Sequence, residues 1–292
     1  MDALLLIGLS VVTTGLITGA IFALVAAGVT IVYGAIWLPN AANGQFFMLG
    51  GLLVWSLVTG WGMSPLLAAA LVVAASVPFA LVLEKGLIRY FYDVPDRNIV
   101  YLVVTLGLAQ IFAGIFSSTY GRWTDNYSLP AAWPGIVMIG PFPFPKTRLL
   151  VLSIALGLLA GLFVFLRLHR VGRALRAVFQ NREAAALRGV NVRGIYRFAF
   201  VLGTLVVFAG GTLFAMAYSF DLTAAWSMAI VAFAIMIVGG PGSVLGSVVI
   251  GLVFGFTQAI VSVFANPTIA TFSYLVAMLV ILLVKPSGLF TR

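Results

Sequence analysis

NREAAALRGVNVRG, residues 181–194, crowds three arginines and a glutamate into one short stretch of a chain in which charged residues make up only 8%. The surrounding sequence is the reverse: 63% of all residues are apolar, 13% are aromatic, and the mean hydropathy is +1.18. A soluble globular chain is about half apolar, so this composition points to a membrane protein. A membrane-crossing helix needs roughly 20 apolar residues. Uncharged stretches of that length recur near residues 8–33, 44–61, 64–83, 99–117, 148–166, 198–216, 222–238, 243–264 and 269–284. The expected fold is an all-α polytopic membrane protein of about eight to ten transmembrane helices, some broken or re-entrant. Its 292 residues form one transmembrane domain, because no hydrophilic segment is long enough to bury a core of its own.

Charge sets the expected orientation. Arg167, Arg170, Arg173, Arg176, Arg182, Arg188, Arg193 and Arg197 supply eight of the 16 basic residues and lie in one connection, 167–197. Cytoplasmic loops collect Lys and Arg, which places this connection inside. Lys85, Arg89 and Arg97 mark a second inner loop, and Lys285 and Arg292 an inner C-terminus. The span count then puts residues 118–147, STYGRWTDNYSLPAAWPGIVMIGPFPFPKT, outside, along with Met1 unless one early apolar stretch is re-entrant. The first apolar run lacks a basic leader and is too long for a signal peptide, so it reads as a retained span. Clustering of the +9 net charge in loops beside spans argues for the bilayer and against nucleic acid as the partner. Without cysteine there is no disulfide or thiol metal site, and His169 alone cannot build a metal centre.

Within the basic connection, GRALRAVFQ places Leu175, Val178 and Phe179 on one helical face and Arg173, Arg176 and Gln180 on another. Asn181 can cap a second helix, Glu183 suits its first turn, Ala184, Ala185, Ala186 and Leu187 propagate it, and Gly189 can end it. Ala184, Ala185 and Gly189 would let another protein's surface approach closely. A basic, topology-fixing loop is the plainer reading of the same residues.

VYGAIWLPNAANGQFFMLGG, residues 32–51, is the other informative stretch. Gly34, Pro39, Asn40, Asn43 and Gly44 interrupt a helix where lipid cannot satisfy free backbone groups, so the broken backbone must face protein or a cavity. Gly239, Gly240, Pro241 and Gly242 interrupt the later apolar sequence in the same way. Paired interruptions in two halves point to inverted repeats and to a transport path. Tyr33, Asn40, Asn43, Gly44, Gln45 and Gly239–Gly242 are therefore the candidate pathway residues. The amides of Asn40, Asn43 and Gln45 need partners in apolar surroundings. Gly246 and Gly251 fit helix packing better.

These stretches also carry a family resemblance. Glu183-Ala184-Ala185, three residues, then Gly189 is similar to the EAA-x3-G element of ABC importer permeases, without the Ile-x-Leu-Pro continuation. More specifically, the whole chain resembles the LivH-type permeases of branched-chain (hydrophobic) amino acid ABC importers. Gly172, Arg173, Ala174, Arg176, Ala177, Ala185, Leu187, Gly189 and Asn191 match that family's loop. Val32, Tyr33, Gly34, Ile36, Asn40, Ala42 and Gly44 match its interrupted helix, GGPGSVLGSVVIGLVFG from Gly239 resembles its glycine run, and LLVKPSGLF its end, at Pro286, Gly288 and Leu289. Departures fall at Pro39 for Ile, Ala41 for Phe, Asn43 for His and Gln45 for Glu, so two titratable positions are neutral amides here.

The resemblance implies a bacterial inner-membrane permease working with two ABC ATPase subunits, a periplasmic substrate-binding protein and a second, related permease rather than a homodimer. Its ATPase-coupling residues would be Arg173, Arg176, Glu183, Ala184, Ala185, Leu187, Gly189 and Asn191. ATP and Mg would be cofactors of the partners, since the chain has no G-x-x-x-x-G-K-[ST] and is expected to be no enzyme. Branched-chain or hydrophobic amino acids lead as substrates, with urea, short-chain amides and aromatic acids as alternatives within the class. A passive channel or secondary carrier is the competing class: Asn266-Pro267-Thr268 resembles an aquaporin box but occurs once. Glu84, Asp93 and Asp96 cluster with no nucleophile beside them, which disfavours a membrane enzyme.

Overall fold

The computed structural model describes residues 2–92, 97–121, 125–139, 142–264, 267–285 and 288–290. Eleven helices follow one another among the described residues. Their ranges are α1 Asp2–Ile36, α2 Asn43–Trp61, α3 Pro65–Gly86, α4 Arg97–Tyr120, α5 Lys146–Leu168, α6 Arg170–Gln180, α7 Arg182–Leu187, α8 Val192–Ala217, α9 Ala224–Gly239, α10 Val244–Phe264 and α11 Pro267–Val284. Seven of them are long and apolar enough to cross a membrane, and α9 and the Phe272–Val284 part of α11 are shorter apolar helices. Each expected span thus has its helix. α9 is the shortest of the nine: its 16 residues reach about 24 Å, short of a hydrocarbon core of about 30 Å.

α1 is the axis of the bundle. Its apolar window is 94% buried, against 22% for α3 and 28% for α4 and α5. Apolar side chains gain little by leaving lipid for a protein neighbour, so association depends on close van der Waals fit through small residues. That fit is seen on two sides of α1. Against α10, a Cβ at Gly251 would stand 2.5 Å from Ala23 Cα and one at Gly19 3.0 Å from Leu252 Cα, while one at Gly255 would collide with the Gly19 backbone. Against α8, a Cβ at Gly28 would be 2.7 Å from the Gly203 carbonyl oxygen. The Thr30 and Ser247 hydroxyls bond each other across the α1–α10 seam, so neither is left unpaired in the interior. Gly246 likewise meets the Gly239 backbone, in keeping with its expected packing role.

Two departures from regular helix organise the ends. The connection between α4 and α5 adds a two-stranded antiparallel sheet, β1 (Ile136–Ile139) with β2 (Phe142–Pro145), in the register Ile136 with Pro145 and Ile139 with Phe142. Upstream of it, Tyr127 pairs with Phe220 through two backbone hydrogen bonds of 2.8 and 3.0 Å. That bridge holds the extended residues between α8 and α9 at the end of the bundle opposite the basic connection. At the basic end, Leu289 N–H donates to the Val238 carbonyl at 2.9 Å, tucking the terminal Gly288-Leu289 under α9.

Substitution of Gly251 by Leu should therefore separate α1 from α10 and cost roughly 1–3 kcal/mol, the usual range for overpacking. Gly157→Leu on α5, where a Cβ would meet nothing within 4 Å, should be nearly silent. Thermal unfolding of the two purified variants in detergent checks this, and an equal loss in both would remove the α1–α10 seam as the organiser.

Candidate functional site: the interrupted helices and the basic end

α1 ends abruptly at Ile36, and the next residue, Trp37, has φ 58°, the sole positive φ outside glycine among the described residues. A bulky residue in that region costs about 1–2 kcal/mol. Trp37 is held there by its N–H on the Tyr33 carbonyl at 2.7 Å and by ring contact with Tyr33 at 5.9 Å. Pro39 prevents the helix from resuming at once. The segment then turns on Asn40, whose Oδ1 accepts from Ala42 N–H at 3.0 Å and whose Nδ2 donates to Asn43 Oδ1 at 3.3 Å. Thr105 of α4 accepts from Ala41 N–H at 3.2 Å.

α2 thus begins inside the protein with no side-chain cap. Its first turn presses on that of α9: a Cβ at Gly44 would sit 2.7 Å from the Ala229 Cβ and closer still to the Ala225 carbonyl oxygen. Gly44 is a packing residue, which explains its place in the pattern without any contact to a passing molecule. The amides differ. Asn43 is 2% exposed and Gln45 1%, yet Asn43 Nδ2 and both polar atoms of Gln45 find no protein partner. The Tyr101 and Thr204 hydroxyls share that condition. An unmatched buried polar atom costs about 1–3 kcal/mol, so these amides do not act as satisfied structural caps.

The second interruption lies against the first. A Cβ at Gly34 would be 2.9 Å from Gly242 Cα, and Gly242 takes φ 81°, open to glycine and strained for other residues. Ser243 caps α10 by accepting from Gly246 N–H at 3.1 Å. Gly239 and Gly240 are buried against the α10 and C-terminal backbones, and Pro241 is half-buried at the turn. The candidate residues therefore divide into a polar group (Asn40, Asn43, Gln45) and a packing group (Gly44, Gly239, Gly240), with Pro241 and Gly242 at the contact between the interruptions and Tyr33 against Trp37.

The basic connection folds as its caps require. Asn181 Oδ1 accepts from Glu183 and Ala184 N–H, both at 3.0 Å, and Gly189 closes α7 with φ 83°. Leu187 stands 89% exposed, and a Cβ at Gly189 would meet nothing within 4 Å. Ala184 and Glu183 face outward, as do Arg173 and Arg176, but Ala185 does not: it is 5% exposed and packs into the chain's own core. Expected as part of an open face, Ala185 instead faces inward, because six residues make under two turns and one face must anchor the helix. Asn191 is engaged locally, its Oδ1 accepting from Gly194 N–H at 3.0 Å to cap α8. His169 caps α6 through Nδ1, which accepts from Val171 N–H at 3.2 Å.

One polar cluster eluded the sequence reading. Glu84 is 1% exposed near the end of α3, and Arg197 Nε of α8 donates to its Oε2 at 3.1 Å. Tyr92 donates its hydroxyl to Glu84 Oε1 at 3.3 Å, and burial, aided by the Glu84 charge, pushes the Tyr92 pKa well above the ordinary phenol value. The hydroxyl stays a donor. The available signal was a lone acid at the end of an apolar run, which must find a cation. Asp93 and Asp96, grouped with Glu84 by sequence, and Asn266 of the aquaporin-like triplet lie outside the described residues.

Three substitutions can be read by thermal melts. Gln45→Met, by removing two unmatched atoms, should leave stability unchanged or raise it by about 1 kcal/mol. Arg197→Ala should cost about 2–3 kcal/mol, below the roughly 3–5 of a fully buried pair because the guanidinium is 44% exposed. Glu84→Gln should cost less, since no buried charge remains. Strong destabilisation by Gln45→Met would return Gln45 to a structural role.

Comparison with known proteins matches this arrangement to a family. Residues 11–285 match the family described as branched-chain amino acid transport system, permease component. The chain is 28% identical over 291 residues to the high-affinity branched-chain amino acid transport system permease protein LivH of Escherichia coli, covering 95% of this chain and 94% of that protein. It is 25% identical over 293 residues to the permease protein BraD of Pseudomonas aeruginosa, with the same coverage. A probable LivH of Methanocaldococcus jannaschii is 27% identical over 91% of this chain and 87% of its own. The solved structure of PsaBC from Streptococcus pneumoniae in complex with Fab overlays with a TM-score of 0.49 at 14% identity, covering 95% of this chain and 92% of that one. With nine apolar helices among the described residues, in the order its sequence demands, and a match over nearly its full length, the chain belongs to the permease-component family of branched-chain amino acid transport systems.

Proposed function

We propose that this chain, as one permease domain over residues 1–292, is the inner-membrane subunit of an ATP-driven importer that carries branched-chain or hydrophobic amino acids. The carrying observation is Leu187, an apolar side chain 89% exposed at the tip of a short helix in the most basic segment of the chain. An exposed leucine flanked by Arg188 and an unobstructed Gly189 suits a groove of a partner, and the positive-inside rule directs this segment to the cytoplasm. The partner is an ABC ATPase, two copies of which hold ATP and Mg and perform the hydrolysis. Arg173, Arg176, Glu183 and Ala184 flank the dock; Ala185 and Asn191 support it from within. A periplasmic binding protein delivers the substrate, and a related second permease completes the membrane part. The C-terminus is cytoplasmic.

Asn40, Asn43 and Gln45, together with Tyr33 and Gly242, form the pathway. The unmatched groups of Asn43 and Gln45 offer donors and an acceptor but no charge, which suits weak and reversible contact with a zwitterion. The same property favours short-chain amides or urea as the second reading over an aromatic acid, whose lone carboxylate has no paired cation at these amides.

Leu187→Glu should abolish capture of the ATPase in pull-downs while leaving the permease folded, because the side chain touches little of its own chain. Gly189→Trp should act in the same direction, with added backbone strain at φ 83°. Undiminished capture by Leu187→Glu would remove this dock. Single cysteines in place of Arg182 and Asp125 should label from opposite sides of the membrane, and labelling from one side would overturn the orientation.

A further inference from the structure

The helix that carries the proposed dock is joined to both helix interruptions by a single aromatic ring. α6 and α7 are separated only by Asn181, which caps the second, so displacement of α7 acts directly on the C-terminal turn of α6. That turn holds Phe179, which is half-buried. A Cβ at Gly34 would lie 3.1 Å from Phe179 Cε2 and 3.2 Å from Cδ2, and one at Gly242 3.8 Å from Cδ2. The ring therefore stands close over Gly34 on the last turn of α1, with Gly242 of the turn between α9 and α10 alongside, at the place where those two backbones come together. Leu175 and Val178 of the same helix are fully buried and give the ring a rigid mount. Three residues beyond Gly34 stands Trp37 in its strained conformation, and beyond that the Asn40–Asn43 segment. Packed interfaces switch between discrete arrangements rather than deform smoothly, and a strained residue is where such a switch finds its second state.

We propose that Phe179 is the positioning residue that transmits displacement of α7 to the end of α1 and to the Gly240–Gly242 turn, switching residues 37–43 between two arrangements. The inference rests on the importer reading above. It adds to that reading the residue through which the dock reaches the polar amides. A flexible or smaller side chain at this position would let α6 move without moving α1. A change of ring chemistry that keeps its shape would preserve the link.

The test uses the complete importer, both permeases and both ATPases, in proteoliposomes with its binding protein and radiolabelled leucine, measuring uptake and ATP hydrolysis in the same vesicles. Phe179→Ala should lower leucine imported per ATP hydrolysed by roughly three- to tenfold, and Phe179→Tyr should restore the ratio. A residue that only fills space would change protein yield or melting temperature and leave the ratio untouched, which would overturn the proposal. A second readout is independent of the substrate. With Ala41→Cys as the one thiol in an otherwise cysteine-free permease, maleimide labelling should differ between nucleotide-free and ATP-vanadate states in the Phe179 background. It should be the same in both states with Phe179→Ala. Labelling indifferent to nucleotide in the Phe179 background, or still responsive in Phe179→Ala, would each count against the link. Absence of leucine uptake by the wild-type importer would count against the substrate reading instead, and the labelling comparison would still decide the role of Phe179.

Discussion

The structure depends on backbone-to-backbone approach in a solvent that gives helices little reason to associate. Lipid is as apolar as leucine, so α1 is held on the bundle axis by fit, not by hydrophobic expulsion from water. Gly19, Gly251 and Gly255 bring α1 onto α10, and Gly28 and Gly203 bring it onto α8. The interrupted segment hangs on that axis, because the position of α1 fixes where its broken end, Trp37, and the amides beyond it come to rest.

The interior polar residues show two solutions to the same energetic problem. Glu84 is satisfied by Arg197 and Tyr92, a charged group matched by a cation and a donor. Asn40 is matched by its own backbone and by Asn43. Asn43 Nδ2 and Gln45 are unmatched within the chain. A protein that keeps such a cost in a fully buried place, next to two helix N-termini and a strained backbone residue, concentrates its departures from local consistency where function is expected.

At the basic end, one short segment serves two masters. Ala185, Leu175 and Val178 anchor it to the bundle, while Leu187 and Arg188 are turned outward. Phe179 stands between these roles, on the same helix as the anchors and against the meeting point of the interruptions.

Much of this was written in the sequence, because membrane solvation imposes strong rules on short windows. Length and apolarity marked each span, Asn181 and Gly189 bounded α7, and Pro39 with the neighbouring amides marked the break, all through forces acting within a few residues. The span expected at 222–238 was already short, and α9 keeps that length at Ala224–Gly239; what sequence did not show is the extended approach to it, where Phe220 pairs with Tyr127. Tertiary structure alone decided which glycines pack and which residues meet. Gly44 and Gly34 look alike in sequence, yet one is closed by Ala225 and the other by Gly242 and Phe179, residues far away along the chain. The inward turn of Ala185, the Glu84–Arg197 pair and the unmatched state of Gln45 have the same cause. Each depends on what a neighbouring helix brings within about 3 Å, and sequence periodicity says which face a residue occupies but not what stands opposite it.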